Sequence, residues 1–153
     1  MINLFNKIKA VCLVVSLLGF SSVVLAAPPT IWGAKHKIPY MPYSPVAYQI
    51  IYVTVFDGSD ANISVIAFDD RGNKFDLEVV STASVGTVTQ LSPVILSELE
   101  AHGFTSSRAA FEITVNNPNA IVYASYSING SYRGFVPVER TYILKNPNPE
   151  TEE

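Results

Sequence analysis

Short runs of alternating hydrophobic and polar residues recur along the chain, and turn residues separate them. The first three are YQIIYVTVF (48–56), NISVIAF (62–68) and KFDLEVV (74–80), with the turns 57–60 and 69–73 between them. Alternation with a period of two is typical of β-strands, because successive side chains point to opposite faces of a sheet. The pattern predicts a three-stranded meander around which the remaining strands assemble.

The three runs differ in how much of each strand is predicted to be buried. Nearly every residue of 48–56 is apolar or β-branched, which predicts a central strand covered on both faces. Phe75, Leu77 and Val79 alternate with acidic residues, which predicts a half-exposed strand. A further strand at 85–91 is rich in Thr and is predicted near an edge.

One helix is predicted, between residues 92 and 103. Ser92 is expected as its N-cap, Pro93 as its first residue and Gly103 as its end. The helix is predicted to cross over between two sheets.

Three more strands are predicted after the helix, at 109–115, 120–128 and 132–138. Asn129-Gly130 is a strong hairpin signal between the last two, and Pro137 places the final strand at an edge or ends it early. The absence of a βαβ rhythm predicts an all-β fold, an antiparallel immunoglobulin-like sandwich of seven or eight strands with one short helix.

The chain is predicted to have four segments. Residues 1–26 have a basic start, an apolar run and small residues at the end, as in a secretory signal peptide. Residues 27–47 form a Pro/Tyr-rich leader, in which 31–34 could be a short first strand. Three prolines within 38–45 exclude a central strand there and favour polyproline-type extension. The β-sandwich domain follows at 48–142, and 143–153 is predicted to be a disordered acidic tail.

Composition then narrows the compartment and the partners. Cys12 is the only cysteine and leaves with the signal peptide, so the exported chain has no disulfide. Loss of Lys7 and Lys9 moves the net charge from −3 to −5, and the remaining basic residues are scattered, which argues against nucleic acid as a partner. We expect a periplasmic or extracellular protein of a bacterial envelope, with no membrane span after cleavage.

Few residues suggest catalysis or metal binding. His36 is expected to be exposed in the leader, and His102 to lie at the negative end of the helix dipole. The acidic turns at 57–60 and 69–73 offer oxygen ligands for calcium, but consecutive turns of a meander lie at opposite ends, so ordinary turn chemistry is favoured. The sequence therefore predicts no enzyme, no cofactor and no metal site.

Tyrosines are the remaining candidates for a binding surface. Tyr123 and Tyr126 are predicted on opposite faces of one strand, so one face presents tyrosine outward or toward another layer. The predicted binding residues are Tyr40, Tyr43, Tyr126 and Tyr132. They suit docking of a protein or stacking of sugar rings; the alternative is cross-strand pairing that only stabilises the sheet.

The run VTVFDGSDANISVIAFDDRG (53–72) resembles bacterial extracytoplasmic immunoglobulin-like modules, as does the later part with its short helix and FEITVNNPNAIVYASY (111–126). The chain is also distantly similar to the small β-sandwich transducers of microbial sensory rhodopsins. Both resemblances imply a sandwich without catalytic residues. We expect a non-catalytic protein that binds an envelope or matrix protein or associates with itself; the alternative is a carbohydrate-binding module.

Overall fold

The computed structural model describes residues 28–44 and 46–145. The predicted signal peptide (1–26) and residues 146–153 of the predicted tail lie outside the described residues. Residues 143–145 of that tail belong to a strand.

The described residues form nine strands and one helix. The strands are β1 (Thr30–Pro42), β2 (Ala47–Val55), β3 (Ala61–Phe68), β4 (Lys74–Ala83), β5 (Val88–Gln90), β6 (Arg108–Val115), β7 (Ala120–Ile128), β8 (Tyr132–Phe135) and β9 (Glu139–Lys145), and helix α1 spans Ser92–Ala101. No helix in this part of the chain has the length and apolar character needed to cross a membrane.

The strands pack as two antiparallel sheets. The five-stranded sheet has the order β4-β3-β6-β1-β9, and the four-stranded sheet has the order β5-β2-β7-β8. The predicted all-β sandwich with one helix is confirmed, with nine strands in place of seven or eight. Inward-facing side chains from both sheets, such as Ile51, Ile63 and Ile113, are fully buried and form one core.

Strand β1 corrects the interpretation of 27–47 as a polyproline-type leader. Residues 34–42 pair with β6 on one side and residues 30–37 pair with β9 on the other, so β1 lies between these two strands in the sheet. The β1–β6 register shifts between Ile38 and Met41, and this bulge contains Pro39. Pro42 is the last residue of the strand. Both prolines therefore lie in residues 38–42, which pair with β6 alone because the β9 ladder ends at Lys37, and the predicted polyproline-type extension was wrong.

The predicted meander is also corrected. Only β3 and β4 are hydrogen-bonded neighbours, because β2 belongs to the other sheet. The turn 57–60 carries the chain from one sheet to the other. Alternation alone predicts strands but not which strands pair.

The end of β4 departs from its predicted alternation. Glu78 has a positive φ of 52°, and the β3–β4 register shifts on either side of Ser64. The bulge turns Val79 outward, where it is 64 % exposed, while Leu77 stays buried.

Helix α1 links β5 in one sheet to β6 in the other, as predicted. Its N-cap is Leu91 rather than Ser92. The Ser92 hydroxyl accepts a hydrogen bond of 2.8 Å from the backbone N–H of Ile51, which ties the helix to β2. Gly103 follows the helix with a φ of +70°, which confirms it as the stop.

Candidate interaction surface

The outer face of the four-stranded sheet is rich in exposed aromatic and aliphatic side chains. The β2–β7 and β7–β8 registers place alternate residues of these strands on that face. We call this surface the aromatic face; it consists of Tyr48, Tyr52, Val88, Ile121, Tyr123 and Phe135. The residues between them on β2 and β7 point inward and belong to the core. Alternation along each strand therefore places one set of side chains in the core and the aromatic face on the outside.

Three aromatic rings form a row across β2, β7 and β8. The ring centroids of Tyr52 and Tyr123 lie 6.5 Å apart at an interplanar angle of 30°. Those of Tyr123 and Phe135 lie 6.1 Å apart at 76°, an edge-to-face contact. Cross-strand pairing of this kind stabilises the sheet, but Phe135 remains 76 % exposed and Tyr48 61 % exposed. The prediction that β2 is covered on both faces was therefore wrong for its outer face.

The aromatic face carries little charge. Arg133 is the one charged residue at its described strand positions, and it is paired in register with Ser127 on β7. The outer face of the other sheet differs, since Lys35 and Glu112 form an ion pair there at 2.6 Å. The two outer surfaces of the sandwich thus have different chemistry.

Two of the predicted binding tyrosines lie together, but not on the aromatic face. Tyr126 points into the sandwich, half-buried, with its ring over Gly134 of β8; a Cβ at that glycine would lie 2.3 Å from the ring. Its centroid is 6.4 Å from that of Tyr40 in an edge-to-face contact. Tyr40 is exposed. On β7, Tyr123 points outward and Tyr126 points inward, as residues predicted on opposite faces must, and the binding role of Tyr126 stays a prediction.

Tyr43 belongs to a separate cluster beside the helix. Its ring packs against Phe104 at a centroid distance of 4.9 Å, and Phe104 packs against Phe75 at 5.1 Å. Burial and the nearby Glu100 carboxylate raise the pKa of the Tyr43 hydroxyl. Tyr43 and Tyr48 line an open groove of about 620 Å³. The side chain of Tyr132 lies outside the described part of the structure.

His36 is buried, which corrects its assignment to an exposed leader. It lies on β1 opposite Ile113 of β6 and Arg140 of β9, and it is 2 % exposed. Its Nε2 has no hydrogen-bond partner among the described residues. Burial, and then the Arg140 guanidinium, lower the pKa of His36 to about 4. His36 is therefore a neutral core residue at neutral pH.

The acidic turns are engaged in local hydrogen bonds. Asp69 Oδ1 accepts from the backbone N–H groups of Arg71 and Asn73 at 2.9 and 2.8 Å. Asp60 accepts from the N–H of Val85 at 2.9 Å. These contacts support the interpretation of the carboxylates as turn residues.

Asn117 is an important residue that the sequence did not single out. It is buried in the β6–β7 crossover, and its Nδ2 donates to the carbonyls of Asp57 and Ser59 at 3.1 and 2.7 Å. Its Oδ1 accepts from the N–H of Asn119 at 2.7 Å. The turn 116–119 was predicted, but a contact across some 60 residues of sequence leaves no local pattern.

The family described as S-layer protein Slr4 matches residues 30–133, which run from the start of β1 into β8. The chain belongs to this S-layer protein family. No curated protein matches the chain. Membership supports an extracellular or cell-surface location and a structural, self-assembling class of protein. The family match does not support the immunoglobulin-like or rhodopsin-transducer resemblance. Strand β9 of this Slr4-family chain lies outside the matched residues.

Proposed function

We propose that this chain is a non-catalytic structural subunit that associates with copies of itself at the cell surface through the aromatic face. The observation that carries the proposal is an exposed apolar sheet face with a single charged residue, on a chain of an S-layer family. Contiguous exposed apolar surface is characteristic of interaction sites. Self-association would remove that surface from water.

The composition of the face favours a protein partner. Aromatic residues and Arg are enriched in the cores of protein interfaces, while Lys, Glu and Asp are depleted. Tyr48, Tyr123 and Phe135 fit that composition, with Arg133 beside them. Two copies meeting by this face would bury the row of rings in edge-to-face and stacked contacts.

A non-catalytic role is supported by the engagement of the polar side chains. His36 is enclosed in the core, and the ring of His102 contacts the Glu98 carbonyl at 2.8 Å at the end of α1. Asp60 and Asp69 accept hydrogen bonds from turns. A general base must reach a substrate proton, and these groups are occupied elsewhere.

The test replaces Phe135 with lysine. A lysine at the centre of an apolar contact would be desolvated without a partner, so Phe135→Lys is expected to weaken association at least about tenfold. The exported chain and the variant would be compared by light scattering across a concentration series. Val79→Lys is the matched control, since Val79 is comparably exposed but lies on the other sheet.

Two results would contradict the proposal. One is a wild-type chain that stays monomeric at every concentration. The other is equal loss of association in Phe135→Lys and Val79→Lys, which would show a general effect of added charge rather than a specific face.

A carbohydrate-binding role is the second candidate, and the groove beside the helix favours it. Tyr43 and Tyr48 line that groove with the Glu100 carboxylate, a combination of aromatic surface and hydrogen-bond acceptor that suits a sugar ring. A glycan array would be probed with the wild-type chain and with Tyr43→Ala and Tyr40→Ala. Sugar binding that depends on Tyr43 would support this role, and an array without hits would remove it.

A further inference from the structure

Strand β9 presents an open edge of the five-stranded sheet. It pairs with β1 through residues Glu139 to Lys145, and none of the described strands lies on its other side. Tyr142 is 50 % exposed and Leu144 is 60 % exposed. An edge strand offers a row of unpaired backbone N–H and C=O groups, which another strand can complete.

The other three edges of the sandwich are poorer templates. Strand β4 is bulged around Glu78, whose φ is positive, and its register with β3 is interrupted. Strands β5 and β8 have only three and four residues. Bulges and short length protect many edges, and β9 has neither within its seven residues. Charged side chains are a further protection, but those at the two ends of β9, Glu139 and Lys145, have opposite signs.

The sequence of β9 is complementary to itself when two copies run antiparallel. If Tyr142 of one copy lies opposite Tyr142 of another, Glu139 lies opposite Lys145 and Thr141 opposite Ile143. This register uses every residue of the strand and joins opposite charges at both ends. If the symmetry centre moves by one residue in either direction, Glu139 and Lys145 no longer lie opposite each other and the ladder contains fewer residue pairs.

We propose that β9 is a homotypic pairing edge, at which two copies of this chain join their five-stranded sheets about a two-fold axis at Tyr142. This inference rests on the proposed self-association and adds a second contact surface to it. Directly opposed cross-strand residues share a face, so each Glu139–Lys145 pair would form on the side of the sheet that carries Lys35 and Thr141.

Strand β9 is held in a defined position for this role. The Arg140 guanidinium donates to the Pro118 carbonyl in the β6–β7 crossover. It also lies 4.6 Å from the centre of the Tyr142 ring, a cation–π contact. The strand therefore needs little ordering on association, which favours pairing by lowering the entropy lost.

A charge exchange tests the register. The measurements use chains that also carry Phe135→Lys, so that contact through the aromatic face is suppressed, and sedimentation gives the dimer dissociation constant. Glu139→Lys and Lys145→Glu each place like charges opposite one another at both ends of the ladder. Each is expected to raise the constant at least about tenfold, and the double variant to restore it.

The control is Lys74→Glu on the opposite edge of the same sheet, where the lysine side chain is also exposed. It is expected to leave the dissociation constant unchanged. Unchanged thermal unfolding of all variants would show that the exchanged charges act on pairing and not on the fold.

A cysteine at the proposed axis gives a second readout. Tyr142→Cys would bring two thiols face to face, and the exported chain is expected to have no other cysteine once Cys12 leaves with the signal peptide. Covalent dimers on a non-reducing gel, absent when Cys replaces the exposed Val79 instead, support the axis.

The outcomes separate this inference from the proposed function. Single charge variants without effect, a double variant that fails to recover, or no cross-link at Tyr142→Cys would overturn the β9 pairing and leave the aromatic face untouched. If Phe135→Lys leaves association unchanged while the β9 variants abolish it, the pairing edge stands and the aromatic-face proposal falls.

Discussion

His36 is a titratable side chain that the fold encloses between β6 and β9. Burial and the Arg140 guanidinium lower its pKa from 6.5 to about 4, so the folded protein binds this proton less readily than the unfolded chain. The stability that depends on neutral His36 is fully present above pH 6.5. It is lost progressively as the pH falls from 6.5 toward 4, by about 3 kcal/mol of unfolding free energy in total.

The measurement is denaturant unfolding at several pH values between 7 and 4. His36→Leu is expected to remove this part of the pH dependence, because the leucine cannot take up a proton. His102→Leu is the matched control, since the only other histidine of the chain is exposed at the end of α1. A wild-type pH profile that His36→Leu leaves unaltered would contradict the assignment.

Asn117 joins two elements that the sequence treats as independent turns. The β2–β3 and β6–β7 connections both pass from one sheet to the other. The side-chain amide of Asn117 donates to two carbonyls of the β2–β3 connection and accepts an N–H of the β6–β7 connection. Asn117→Ala would remove three hydrogen bonds made by one buried amide, so we expect it to lower the unfolding free energy by about 2–3 kcal/mol.

The comparison variant for Asn117 is Asn73→Ala. Asn73 also bonds through its side chain, to Asp69 at 2.7 Å, but in an exposed hairpin within one sheet. Water can replace that contact, so its loss is expected to cost about 1 kcal/mol or less. The unfolding free energies would be measured by chemical denaturation. Equal losses in the two variants would mean that Asn117 does not hold the two connections together.

The elements that sequence reasoning predicted are those with a local cause. Asn129-Gly130 forms the β7–β8 turn with both residues at positive φ, and Gly103 ends the helix, because both depend on backbone conformations that few residues adopt. Only 31–34 of strand β1 was expected, because a strand tolerates the following Pro39 only through a bulge against β6. The assignment of β2 and β3 to different sheets depends on packing across the whole sandwich.

The candidate surface shows the same division between local and long-range causes. The sequence predicted that one tyrosine of β7 points outward, which is correct for alternation within a strand. Which face of β7 points outward depends on where the other sheet packs. Tyr126 lies on the inner face over Gly134, and Tyr123 lies on the outer face in the row with Phe135. Binding of an envelope or matrix protein, or self-association, was expected from the sequence, whereas the residues of the aromatic face follow only from the cross-strand registers.

At the scale of the whole molecule, the two proposed contacts lie on different sheets and use different chemistry. The aromatic face meets a copy of itself through apolar rings, and β9 meets a copy of itself through backbone hydrogen bonds and paired charges. Each is a two-fold contact, which alone closes into a dimer. Two such contacts on one chain cannot both be satisfied within a dimer, so assembly continues beyond it. The result is a closed tetramer if the two axes cross at right angles, and an open array if they do not intersect.

This geometry predicts a specific series of sizes. The wild-type chain is expected to form assemblies larger than a dimer, while Phe135→Lys and Glu139→Lys each stop at a dimer, because each retains one two-fold contact. The variant with both changes is expected to be a monomer. Light scattering gives the masses, and electron microscopy shows whether the wild-type assemblies are extended. Monomers from both single variants would mean that the two surfaces form one interface, and any array would then have to be built from a single contact that does not close.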